Sequence, residues 1–124
     1  MSRAVGTTLT ALEDSTRRGV VEALAERRMS AGELASQLDV TPAFLTRHLR
    51  VLRDARIVRA SLDAGDQRRH VYELRPEPLH ELRDWADDVA AFWRRQLAGF
   101  ADHVETSSTS RSDRRVRGGR SARR

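Results

Sequence analysis

The sequence predicts a mainly α-helical fold with one small β-hairpin, and three observations carry that prediction. Helix caps recur at short intervals in the first half of the chain: Asp14 or Ser15, then Ser30 with Glu33, then Thr41 followed by Pro42. Two strand-like runs, 56–62 and 69–74, flank the polar, glycine-containing segment 63–68. An apolar stripe at helical spacing then occupies residues 79–104. Together these describe a winged helix-turn-helix with a long C-terminal dimerisation helix.

Each element follows from its residues. Residues 5–12 are weakly helical, and Glu13-Asp14-Ser15-Thr16 supplies a stop and a restart. The second helix presents Val20, Val21, Leu24 and Ala25 as its apolar stripe. Ser30 and Glu33 fit the S-x-x-E capping box of a third helix in which Leu34, Ala35 and Leu38 face inward. The turn Asp39-Val40 leads to Thr41 as cap and Pro42 at the first helical position of a fourth helix, which runs to about Ala55. Three helices in this rhythm, the last two joined by a tight turn, form a helix-turn-helix, and the hairpin behind them is a wing. From Pro76 or Pro78 a long helix extends to roughly Val104, with Leu79, Leu82, Trp85, Ala86, Val89, Phe92, Trp93, Leu97, Phe100 and Val104 on one stripe.

With 124 residues, 39% of them hydrophobic, the chain has apolar material for one modest core. It lacks cysteine, which excludes a disulfide framework, a thiolate metal site and a cysteine nucleophile. No apolar run marks a leader or reaches membrane-spanning length, so the expectation is a soluble cytoplasmic protein without membrane contact. The net charge is +5, and all 23 basic residues are arginine. That charge is unevenly placed. Residues 106–124 carry +6 and one sizeable apolar side chain, Val116, and read as a disordered Arg-rich tail. Residues 1–105, read as the DNA-binding and dimerisation domain, carry −1. Within them Arg47, Arg50, Arg53, Arg56 and Arg59 stand against Asp54 alone over Thr41–Arg59, a local +4. Local segregation, not total charge, is the argument for nucleic acid.

Several motifs occur in an order and spacing that resemble a known family. Leu12-Glu13-Asp14-Ser15-Thr16-Arg17-Arg18, Gly32-Glu33-Leu34-Ala35 through Leu38, Thr46-Arg47-His48-Leu49-Arg50-Val51-Leu52-Arg53 and Arg56-Ile57-Val58 are similar to the ArsR family. The resemblance covers about residues 8–104, with Trp85 and Phe92-Trp93 resembling a branch whose C-terminal helix is rich in aromatics. It implies a homodimeric winged helix-turn-helix transcriptional repressor whose two recognition helices read a pseudo-palindromic operator in double-stranded DNA. Pro42 follows Thr41 directly, where family members usually place a polar residue between cap and proline.

The resemblance and the helical geometry together select the candidate residues. On the fourth helix Leu45, Leu49 and Leu52 face the core, while Ala43, Arg47, Arg50 and Asp54 lie opposite, with Thr46 and Arg53 on a flank. The DNA-facing set is Thr41, Ala43, Phe44, Thr46, Arg47, His48 and Arg50, with Arg47 as the guanine reader. The bland alternative is a solvated face with Arg50 paired to Asp54. Phe44 either meets a thymine methyl or packs against the neighbouring helix, the latter favoured. His48 is a partly buried packing residue in preference to a phosphate contact. In the wing, Arg68, Arg69 and His70 are placed on phosphates, against the alternative of an Arg–Asp surface cluster. Leu79, Leu82, Trp85, Val89, Phe92, Trp93, Leu97 and Phe100 are assigned to a dimer interface formed with the N-terminal helix.

The family's metal sites find no match. Where arsenical-type members carry thiolates this chain has Ser30, Gly32 and Ala35. A zinc-type site would have His80 and Asp84, but Leu97 and Phe100 stand at the later ligand positions, and Asp87 and Asp88 read as a solvated face. No metal or cofactor is therefore expected, and the effector is left open as an unknown small molecule, a protein partner or autoregulation alone. No catalytic motif is present, so the chain is not read as an enzyme. The rival reading is a winged-helix protein-interaction module with only non-specific DNA affinity from its basic tail.

Overall fold

Ser2 opens the first helix, α1 (Arg3–Ala11), its hydroxyl accepting the Val5 N–H at 3.1 Å. The computed structural model describes residues 2–107. Two units divide the chain: one reaches from the N-terminus to Trp85, and the other begins at Ala86.

In the first unit, Asp14 caps α2 (Ser15–Glu26), its Oδ1 accepting the N–H groups of Thr16 (2.8 Å) and Arg17 (3.1 Å). Val20, Ala23 and Leu24 are buried and Val21 packs against the core. Ala25, expected on that stripe, is exposed. The inward face follows the i, i+3, i+4 positions from Val20, and Ala25 falls one further step around the helix. A two-residue strand, β1 (Met29–Ser30), precedes α3 (Ala31–Leu38). The Ser30–Glu33 capping box forms as expected: Ser30 Oγ accepts the Glu33 N–H, and Glu33 Oε1 accepts the Ser30 N–H at 2.8 Å. Helices α2 and α3 approach closely at Gly19, where a Cβ would lie 3.2 Å from Leu38 Cδ2.

α3 ends with Asp39 in the left-handed region (φ 59°), with Val40 N–H bonded to Ala35 O and Asp39 N–H to Ser36 O. This is a Schellman stop made without glycine. Thr41 then caps α4 (Pro42–Asp54). A second Schellman stop follows, with Arg56 at φ 63° and Ile57 N–H bonded to Leu52 O. Arg56 and Ile57, expected in the first strand, therefore complete the helix terminus, and β2 is Val58–Asp63. It pairs antiparallel with β3 (Asp66–Leu74), which begins earlier than the expected 69 because the turn is tight. β3 also pairs with β1, giving the sheet order β1-β3-β2. The core joins Val20, Leu24, Met29, Leu34, Leu45, Leu49, Leu52, Ile57 and Val58 with smaller neighbours.

α5 (Glu77–Ser107) starts in the first unit and runs through the second. Leu79, Leu82 and Trp85 are half-buried. In the second unit Val89, Phe92, Trp93, Leu97 and Phe100 are exposed, from 49% at Val89 to 67% at Phe100. Thr106 and Ser107, assigned to the tail, close this helix, and residues 108–124 lie outside the described residues.

Candidate nucleic-acid interface

Three buried leucines set the roll of α4. Leu45, Leu49 and Leu52 have 0–3% of their surface exposed, and burying each contributes about 1.5–3 kcal/mol. With that face fixed, Ala43, Thr46, Arg47, Arg50, Arg53 and Asp54 are all on the exposed side, as the helical spacing requires. Among the described residues Arg47, Arg50 and Arg53 have no carboxylate within ion-pair distance, and the alternative Arg50–Asp54 pair is not formed. Each guanidinium keeps a planar fork of donors, a shape that fits a guanine edge or a phosphate.

The remaining helix candidates are engaged to different degrees. Thr41 Oγ1 accepts the Phe44 N–H at 3.1 Å and so serves first as the cap. Thr46 Oγ1 donates back to Pro42 O at 3.3 Å but stays exposed. Phe44 is 50% exposed, and its ring neighbour is His48 one turn along the same helix (5.1 Å), not a neighbouring helix. His48 is drawn inward: its side chain is 14% exposed, and Nδ1 lies 3.2 Å from Arg17 Nη1 and 3.8 Å from Asp14 Oδ1. Arginine can only donate, so His48 Nδ1 is the acceptor of that bond and the ring proton sits on Nε2. Arg17 is itself fixed by its Nε bond to Ala11 O at 2.6 Å. Asp14, Arg17 and His48 thus tie the recognition helix to the start of α2. The bond from the Arg17 backbone N–H, with that from Thr16 and the Arg17 charge beside it, holds the Asp14 carboxyl below its ordinary range.

The wing is built differently. Leu62 faces His70 whereas Asp63 faces Asp66, so Gln67, Arg68 and Arg69 have no cross-strand partner. Asp63 Oδ1 accepts the Gly65 N–H and Asp66 Oδ1 the Arg68 N–H, both at 3.1 Å, closing the tip. The Arg68 and His70 side chains are exposed. Arg69 is not free: Nη2 lies 2.6 Å from Glu33 Oε1 and Nη1 lies 3.3 Å from Asp63 Oδ2. Arg27 approaches the other Glu33 oxygen at 3.7 Å. Glu33 is held below the ordinary glutamate range, first by the Ser30 N–H and then by Arg69. Lower in the hairpin Glu73 pairs with its cross-strand neighbour Arg59 and, at 3.7 Å, with Arg28.

Sequence reasoning had placed Asp63 beside Arg69 but missed Glu33, whose role as a cap was legible while its second partner was not. It also missed Arg17 and Asp14 as supports of His48. His80, Asp84, Asp87 and Asp88 are exposed on α5. Among the described residues no three His, Asp or Glu side chains converge to hold a metal, and no helix is long and apolar enough to cross a membrane.

Comparison with known proteins agrees with this geometry. A helix-turn-helix domain family model matches residues 12–60. The HTH-type transcriptional regulator Rv2034 of Mycobacterium tuberculosis is 42% identical over 96 residues, covering 77% of this chain and 84% of that protein. An ArsR-like transcriptional regulator from Rhodococcus sp. RHA1 superposes with a TM-score of 0.68 at 22% identity, over 86% of this chain and 94% of its own. A crystal structure of an ArsR family transcriptional regulator gives 0.64 at 23% identity, over 73% and 91%. At these identities the two structures speak to the fold.

Proposed function

The chain belongs to the ArsR family of winged helix-turn-helix transcriptional regulators, and on that premise we propose that it acts as a homodimeric repressor without metal sensing. DNA is its partner. The single observation that carries the reading is the outer face of α4, where Arg47 and Arg50 are exposed and free of ion pairs among the described residues, above a fully buried leucine face. In this reading Arg47 reads a base edge, Ala43, Thr46 and Arg50 fill the groove beside it, and Thr41 and Phe44 lie at the helix entry. His48 acts from behind by fixing the helix.

Two recognition helices about one helical turn of DNA apart would read a pseudo-palindromic site. The exposed α5 stripe from Val89 to Phe100 supports a two-fold interface. Residues 1–105 then form the DNA-binding and dimerising part, and the Arg-rich remainder adds sequence-independent affinity. The protein works in the cytoplasm, catalyses no reaction, and answers to an effector of unknown chemistry, a small molecule or a protein.

The test titrates the protein against a duplex recovered by repeated selection from a random pool and against the unselected pool, each at two salt concentrations. A repressor prefers the selected duplex at both. A variant ending at Ser107 keeps that preference and loses affinity for both duplexes alike. Failure to enrich any sequence, with binding that vanishes in the shortened variant, would favour an interaction module.

A further inference from the structure

The Glu33 carboxylate links three parts of the first unit. It closes the α3 capping box through the Ser30 N–H, receives Arg69 from the wing at 2.6 Å, and lies 3.7 Å from Arg27 at the end of α2. Arg69 in turn reaches Asp63 on the opposite strand of the hairpin at 3.3 Å. This bridge sits at the one place where β3 has no partner on β2, the bulge of Gln67, Arg68 and Arg69. The cross-strand register that orders the rest of the hairpin is broken there, and side chains take a larger share in setting the direction of the tip. Arg68, the neighbouring cation, is exposed, and its guanidinium is unpaired among the described residues.

From this juxtaposition we propose that Arg69 is a positioning residue that braces the wing against α3 through Glu33, and that Arg68 is the cation it holds out to the DNA backbone. The inference rests on the reading of the wing as a backbone contact and replaces the assignment of Arg69 to phosphate. It makes Glu33, an acid beside the DNA-binding surface, a group that supports DNA binding. An arginine contacting phosphate directly would behave in the opposite way, because removing a neighbouring carboxylate frees the arginine and removes repulsion.

Glu33→Gln separates the two, since glutamine preserves the capping box while removing the charge that holds Arg69. Glu33→Gln, Arg69→Ala, Arg68→Ala and the Arg68→Ala/Arg69→Ala double variant are titrated with a random-sequence duplex over a salt series. Amide hydrogen exchange of residues 63–70 is followed in the free proteins. The expected result is binding weakened roughly three- to ten-fold by Glu33→Gln, with faster exchange at the tip in Glu33→Gln and Arg69→Ala. The double variant should bind no more weakly than the worse single one, and its salt slope should fall by about one phosphate's worth, ~0.9. Tighter binding by Glu33→Gln, a double variant with additive loss and a slope lower by about 1.8, or unchanged exchange would each overturn the brace. If Arg68→Ala binds like the parent, the wing's contact with DNA fails, while exchange still decides whether Arg69 holds the tip.

Discussion

The recognition helix and the wing both present arginine, in opposite conditions. On α4 the cations are exposed and without ion pairs among the described residues, and the helix beneath them is anchored by leucine. In the hairpin Arg59 is paired with Glu73, and Arg69 with Glu33 and Asp63, which leaves Arg68 as its exposed cation without an ion pair among the described residues. The difference follows from what holds each element in place. A helix with a buried face needs no side-chain struts, so its outer arginines can be left for a ligand. A two-stranded tip with a bulge has little apolar anchorage, Leu62 being 52% exposed, and must spend arginines on its own shape.

The largest test of this contrast is the anchorage itself. Leu52→Ala should cost about 2–5 kcal/mol in denaturant unfolding, whereas Leu62→Ala should stay within roughly 0.5 kcal/mol. Equal effects would mean that the wing is anchored as the helix is. Next comes the difference between free and paired arginine. Arg47→Ala should cost about 1–3 kcal/mol on a selected duplex and much less on the random pool. Arg59→Ala should show no such discrimination, and a sequence-dependent loss there would break the comparison.

At the join between the two regions, Arg56 occupies a left-handed conformation that favours glycine. Arg56→Gly should raise stability by about 0.5–1 kcal/mol, after the loss of chain entropy is offset, measured as a shift in denaturant midpoint without change of slope.

The smallest effect is a response to acid. Asp14 behind α4 and Glu33 behind the wing both have lowered pKa values in the folded chain. Their contributions are therefore complete at neutral pH and are lost as pH falls below about 4, towards the folded values. Thermal unfolding between about pH 6 and pH 3 should show this loss, smaller in Glu33→Gln by the part that the Ser30 N–H and Arg69 together supply.

Local chemistry was the legible part of the molecule. Ser30 with Glu33 and Thr41 with Pro42 announce helix starts because a cap is made by residues within three positions of one another. The leucine face of α4 followed from spacing for the same reason. β1 left no signal, since two residues become a strand only by pairing with Tyr72 and Val71. Both Schellman stops escaped notice because Asp39 and Arg56 stand where glycine would have marked them. Within the site the outer α4 arginines were readable from one helix. The Arg69–Glu33 and Arg17–His48 contacts join residues far apart in sequence, and neither has a local pattern to find.

The chain has two tryptophans, Trp85 and Trp93, and both lie on α5, with 60% of Trp93 exposed. Neither stands in α4 or the hairpin, so tryptophan fluorescence observes one helix and not the elements proposed to meet DNA. A blue shift on raising protein concentration would report the covering of Trp93. The same signal recorded while DNA is added would tell whether reading a sequence is felt along the helix on which the aromatics stand.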